Sequence, residues 1–224
     1  IINKSNIMGF YRGPNIVTDG LVLIQDAASE RSYPGSGTTW YDLSGNSING
    51  ALSVAAMATA VPGEIRLNNS TDYISYGHNT LLEPTSITVA AWVNLDNNSD
   101  RHILITKWLG YSFEISSSAQ PYFRLNGPGD QYSSEYLTYG EWYYITGTFD
   151  NSNYAHDIYI NGVNKGSSTK TSPITYNQGT LNIPYTGNPA YAVGEIAAVS
   201  IYNRALTAAE VLQNYNAQKS RFGL

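Results

Sequence analysis

The sequence predicts an all-β chain: a two-sheet antiparallel jelly-roll sandwich closed by one short C-terminal α-helix. Three observations carry that prediction. The 224 residues are 42% hydrophobic but only 13% charged, with 20 Gly and 19 Tyr, a mix that suits short strands joined by polar turns. Short apolar or alternating runs recur along the chain, each bounded by Gly, Asn, Asp or Pro. A helical spacing of apolar residues occurs near the C-terminus.

Taken in order, the first run is Leu21 to Ile24. Ser86 to Asn94 follows, with Ile87, Val89, Ala91 and Val93 on one face and Ala90 and Trp92 on the other, so that both faces read as buried and the strand as central. Further runs lie at Ile103 to Thr106, Tyr111 to Ile115, Tyr122 to Leu125, Glu141 to Phe149, Asp157 to Ile160 and Ile196 to Tyr202. Eight or more strands is the number a two-sheet jelly roll requires. Asn161-Gly162, between Ile158-Tyr159-Ile160 and Val163, is the pair a type I′ hairpin demands, because both central residues need φ > 0. Leu206, Ala209, Leu212 and Tyr215 recur at helical spacing behind the capping box Thr207-Ala208-Ala209-Glu210, which predicts a helix over residues 207–218. Residues 1–18, interrupted by Gly13-Pro14-Asn15, read as an N-terminal arm, and residues 19–224 as one domain that includes the helix.

A net charge of −5 leaves no basic stripe to neutralise phosphates, so neither nucleic acid nor an anionic membrane surface is an expected partner. No apolar run approaches the roughly 18 residues of a spanning helix, and the N-terminus lacks a signal-peptide core, so the chain is expected to be soluble. The absence of cysteine removes disulfides and thiolate metal sites together. His78, His102 and His156 are scattered without zinc-site spacing, and no nucleophile-elbow Gly-x-Ser-x-Gly occurs.

Six segments, read in sequence, resemble laminin-G-like, concanavalin A-like jelly-roll domains: Gly20 to Ala27, Ser32 to Asn46, Ser86 to Val93, Gly140 to Asp150, Ile158 to Val163 and Ile201 to Val211. The flanks Tyr11 to Leu23 and Asn214 to Leu224 are similar to the ends of the variant found in structural proteins of tailed bacteriophages. That resemblance implies a non-enzymatic surface or structural module of a virion, assembled in the bacterial cytoplasm. Its partners would be other capsid or tail proteins and further copies of itself, reached through the termini.

The resemblance also implies a structural calcium near Asp42-Leu43-Ser44-Gly45-Asn46, with Asp26, Asp42 and Asn46 as its ligands. The competing and favoured reading is a corner, in which Asp42 and Asn46 hold their own backbone in Asx-type turns. No strand carries the Glu-x-Asp-x-Glu-like pattern of the related glucanases: Glu114, Glu135, Glu141 and Asp150 read as single acids at strand edges, and no enzyme is expected. Glycan binding is the functional alternative, since Tyr132, Tyr136, Tyr185 and Tyr191 offer aromatic faces in polar loops. Tyr is equally suited to a protein interface. Trp40, Trp92, Trp108 and Trp142 stand in or beside strand patterns, and most read as core.

Overall fold

A computed structural model describes residues 14–54, 57, 63–68, 71–97, 100–185 and 191–224. Its strands are β1 (Leu21–Asp26), β2 (Thr39–Trp40), β3 (Gly50–Leu52), β4 (Ile65–Leu67), β5 (Ile74–Ser75), β6 (Ile87–Leu95), β7 (His102–Lys107) and β8 (Tyr111–Ile115). They continue with β9 (Pro121–Leu125), β10 (Gly129–Tyr132), β11 (Trp142–Asp150), β12 (Ala155–Ile160), β13 (Val163–Thr169), β14 (Leu181–Ile183) and β15 (Gly194–Tyr202). Helix α1 (Ala208–Gln218) and a 3₁₀ turn (Lys219–Phe222) end the chain.

One sheet runs β1-β15-β6-β11-β12-β13, with β4 continuing along β15 where β1 leaves it; the other runs β10-β9-β8-β7-β14-β5-β3-β2. Every strand pairing is antiparallel, and the two sheets enclose one core, the predicted jelly roll. Alternation explains the enclosure. Val89, Ala91 and Val93 of β6 turn into the same core as Phe113 of β8 and Phe123 of β9. Gly147 of β11 makes room for it, because a Cβ there would stand 2.4 Å from the Phe123 ring. The hairpin turn is as expected, with φ of 50° at Asn161 and 78° at Gly162. Of the strands that periodicity did not single out, β2 to β5, β10 and β14 have two to four residues each, too few to display a period, and β13 has seven, largely polar and with none buried, entered only through the hairpin turn.

The other face of β6 is buried as well, beneath the helix. Ala90 and Trp92 join Tyr144, Tyr159, Tyr202, Leu206 and Val211 in a second core. Thr207 and Glu210 cap α1 reciprocally, as their spacing predicts, and Arg204 pairs with Glu210 at 2.6 Å. Phe222 stacks on Trp92 with ring centroids 4.0 Å apart, and the Trp92 indole donates to Gln218 Oε1 at 2.7 Å. A buried Trp removes about 150–250 Å² from water, roughly 4–6 kcal/mol as an upper bound. Burial of Trp92 is therefore what seats the tail.

Residues 1–13 of the expected arm lie outside the described residues. The rest of it reaches the helix: Val17 donates to Asn214 Oδ1 at 2.8 Å and accepts from the Tyr202 hydroxyl at 2.9 Å, and Gln213 donates to the Asn15 carbonyl at 2.7 Å. Residues 14–18 and the C-terminal helix thus pack on the outer face of the β1-containing sheet. Among the described residues, no helix is long and apolar enough to cross a membrane.

A candidate binding cleft on the open sheet face

The outer face of the other sheet carries no helix among the described residues. With Tyr111, Phe113 and Ile115 of β8 turned inward, Ser112 and Glu114 point out; with Phe123 and Leu125 of β9 inward, Tyr122 and Arg124 point out. Strand register then builds two rows. Ser112 lies opposite Arg124, which lies opposite Asp130, and Glu114 lies opposite Tyr122, which lies opposite Tyr132. A hollow of about 510 Å³ opens over these strands, with Trp108, Tyr185, Glu114, Arg124, Asn126 and Arg101 in its lining. That volume lies within the range of small-molecule sites.

One wall is aromatic. Gly110 donates to the Lys107 carbonyl at 2.9 Å, closing a tight turn whose two central residues are Trp108 and Leu109. Leu109 sits at φ 52°, a conformation that disfavours a bulky side chain by on the order of 1 kcal/mol. Trp108 is 53% exposed, and its ring stacks on Tyr185 at 6.0 Å and 13°. Tyr185 is held in place by its backbone N–H, which donates to the Ile103 carbonyl at 3.0 Å.

The floor is charged and cross-linked. Glu114, whose side chain is 2% exposed, accepts from Ser112 Oγ at 2.5 Å and from the Tyr122 hydroxyl, and faces Arg101 at 3.4 Å and Arg124 at 3.5 Å. Arg124 grips Asp130 through Nε at 2.9 Å and Nη2 at 3.1 Å. Burial alone would raise the Asp130 carboxyl, but the Arg124 guanidinium outweighs it and holds the group below the usual carboxylate range. An aromatic wall over a floor of fixed donors and acceptors is an arrangement that fits a polyhydroxylated ring, apolar on its faces and hydrogen-bonding at its edges.

Of the four tyrosines singled out by the sequence, Tyr185 lines the hollow. Tyr132 shares its sheet face, stacked on Tyr122 at 4.9 Å and donating to Asp130 Oδ2 at 3.2 Å. Tyr191 forms a parallel bridge with Ile103, beside the Tyr185 attachment. Tyr136 is exposed in the loop after β10, outside the lining. Two readings change. Trp40 and Trp92 are core and Trp142 is half-buried, but Trp108 is the cleft's exposed aromatic. Glu114 is no single acid at an edge, because β8 lies between β7 and β9 and register sets its carboxylate between two guanidinium groups. Trp108-Leu109 between two strand patterns was the available signal: apolar residues at a turn tip need a reason other than burial.

The candidate calcium ligands are otherwise engaged. Asp42 accepts from the backbone N–H groups of Ile24 at 3.1 Å, Ser44 at 2.8 Å and Ile48 at 3.2 Å, and from Ser44 Oγ at 2.7 Å. Asn46 spends its amide nitrogen on the Val22 carbonyl at 2.8 Å, and Asp26 accepts from Ala28 N–H at 2.8 Å and pairs with Arg221 at 2.6 Å. The carboxylate oxygens of Asp42 and Asp26 meet hydrogen-bond donors and a guanidinium, a donor set that fits a hydrogen-bonded corner better than a calcium ion. Among the described residues no group of three or more His, Cys, Asp or Glu gathers elsewhere. The loop is a corner that Asp42 ties to β1.

A jelly roll with a cleft on its uncovered sheet defines a lectin-like class of domain. The family model Laminin G 3, concanavalin A-like lectin/glucanases superfamily, matches residues 68–212, and the chain belongs to that superfamily. No curated protein sequence matches it. Among solved structures it is similar to Trypanosoma rangeli sialidase in complex with the inhibitor DANA, at TM-score 0.70 and 16% identity, covering 91% of this chain and 34% of that one. It is also similar to the binding domain of Paraclostridial Mosquitocidal Protein 1, at TM-score 0.69 and 21% identity, covering 89% of this chain and 52% of that one. The chain thus spans about a third of the first and about half of the second, and at these identities the likeness is one of fold.

Proposed function

We propose that this chain is a non-enzymatic carbohydrate-binding module whose ligand occupies the cleft between the Trp108–Tyr185 wall and the Glu114–Arg124–Asp130 floor. The observation that carries the reading is the exposed, stacked Trp108 on a strained turn beside a preorganised polar floor. The aromatic pair takes the face of a sugar ring, and Arg124, Asn126 and Asp130 take its hydroxyls. Hydrolysis needs one carboxyl kept protonated near neutral pH as general acid. Asp130 is held below the usual carboxylate range by Arg124, away from the protonated form a general acid needs, which supports binding without turnover.

The test is a glycan array followed by titration calorimetry on the best ligand. Trp108→Ala is expected to weaken binding about tenfold or more at an unchanged melting temperature. No new reducing ends are expected on prolonged incubation. Equal affinity of wild type and Trp108→Ala would refute the assignment of the site.

The second part of the proposal is attachment. The flank resemblance, together with residues 14–18 and a C-terminal helix that pack on the sheet face opposite the cleft, supports a module tethered by its termini to a tailed-phage virion, in several copies, with the cleft turned outward. Incorporation into particles is expected to fail when residues 1–18 are deleted; unchanged incorporation would overturn this part.

A further inference from the structure

We infer that the glycan taken by this cleft is acidic, and that Arg101 is the residue that receives its ring carboxylate. The inference rests on the glycan reading above and narrows it. Its basis is the order in which charges are layered from the solvent inward. Glu114 lies at the bottom with a side chain 2% exposed, while Arg101 and Arg124, both ion-paired to it, have side chains 42% and 43% exposed. A ligand entering the cleft therefore meets two guanidinium groups before it meets the carboxylate beneath them. Because Coulomb energy falls with distance, an incoming anion touching the guanidinium layer is attracted more strongly than it is repelled by the deeper Glu114.

The two cations are not equivalent. Arg124 has already committed Nε and Nη2 to Asp130, and Asp130 cancels its charge locally. Arg101 meets Glu114 through Nη1 at 3.4 Å and also hydrogen-bonds the Tyr122 side chain, yet its side chain stays 42% exposed and, among the described residues, has no carboxylate gripping it through two nitrogens as Asp130 grips Arg124. Those contacts aim the group and leave part of its planar fork open to solvent, and that fork matches a carboxylate in a bidentate manner as Lys cannot. Glu114, immobilised by Ser112 and Tyr122, is a positioning residue for Arg101. The class of ligand is a sugar bearing a carboxylate on its ring, met in a uronate or in a terminal sialate.

The test uses the whole chain and two matched pairs: an oligogalacturonate with its methyl ester, and a sialyl-lactose with its methyl ester. Esterification removes the charge and leaves the ring. One acid is expected to bind about tenfold or more tightly than its ester, and which one does so identifies the source. Arg101→Ala is expected to bring that acid down to the affinity of the ester, Arg101→Lys to recover part of the difference, and added salt to shrink it. A melting curve on each variant separates loss of fold from loss of contact. Equal binding of acid and ester would overturn the acidic assignment while leaving the glycan site standing. An acid preference that survives Arg101→Ala would overturn the role of Arg101. Binding of neither acid nor ester, with a neutral glycan still captured through Trp108, would overturn the inference alone; capture of no glycan at all would remove the reading beneath it.

Discussion

Lowering the pH from 8 to 5 is expected to destabilise this domain through two histidines buried in its interior. His156 lies edge-on to Phe123 and Phe149, with ring centroids 5.4 and 5.9 Å away, and neither of its nitrogens has a hydrogen-bond partner among the described residues. Burial, reinforced by Lys170, lowers it to about 3. His102 is buried beside Tyr139 with its Nε2 likewise unpartnered, and burial lowers it to about 4 against the opposing influence of Asp96 and Asp100. Above pH 6.5 both rings are neutral in the folded and unfolded chain alike, and the protons contribute nothing. Below it, the unfolded chain takes up protons that the folded chain refuses, so stability falls with falling pH until the folded values are reached.

Each histidine contributes a slope approaching 1.4 kcal/mol per pH unit, which by pH 5 amounts to about 2 kcal/mol apiece and about 4 kcal/mol together. That is a large part of the roughly 5–15 kcal/mol that holds a domain folded. Among the carboxylates, Glu64 is raised chiefly by its burial and offsets part of this loss as the pH falls, whereas the ion-paired acids act lower. Glu210, held near 2 chiefly by Arg204, and Asp130, held low by Arg124 against burial, lose their contributions only through and below the ordinary carboxylate range. Urea unfolding at fixed pH values between 8 and 5 measures the effect, read as a shift of midpoint at constant slope. His156→Phe fills the same aromatic slot without a titrating ring and is expected to halve the pH dependence. A wild-type midpoint that does not move between pH 7.5 and 5, or a His156→Phe variant with the full dependence, would refute the reasoning.

Asp42→Ala removes the acceptor for four donors at the corner and is expected to cost about 2–3 kcal/mol, read by thermal melting. Millimolar calcium is expected to leave the wild-type melting temperature unchanged, and a calcium-dependent rise would show that the corner holds the ion after all. Phe222→Ala uncovers Trp92 and Trp142 and is expected to lower stability by about 1–2 kcal/mol with a red shift of tryptophan fluorescence. An unchanged emission maximum would mean that the tail is not seated on the sheet in solution.

Local chemistry was legible in the residues themselves. The two-sided run of β6, the Asn161-Gly162 turn and the Thr207–Glu210 cap are each satisfied within a few residues, so period and turn type determine them and the tertiary structure only confirms them. The jelly-roll class follows from the number and spacing of such runs. The cleft is of another kind. Glu114, Arg124 and Asp130 become neighbours because β8, β9 and β10 pair in one register, and a slip by one residue would turn all three into the core. Trp108 reads as core by its hydrophobicity and becomes the exposed wall because a turn lifts it beside Tyr185, 77 positions later in the chain. The acids at the corner looked able to gather a metal, and three-dimensional packing assigned Asp42 to the amides of Ile24 and Ile48 and Asp26 to Arg221. Sequence determines what neighbours along the chain can satisfy; register and packing decide which distant groups meet, because hydrogen bonds and ion pairs act only over a few ångströms in space.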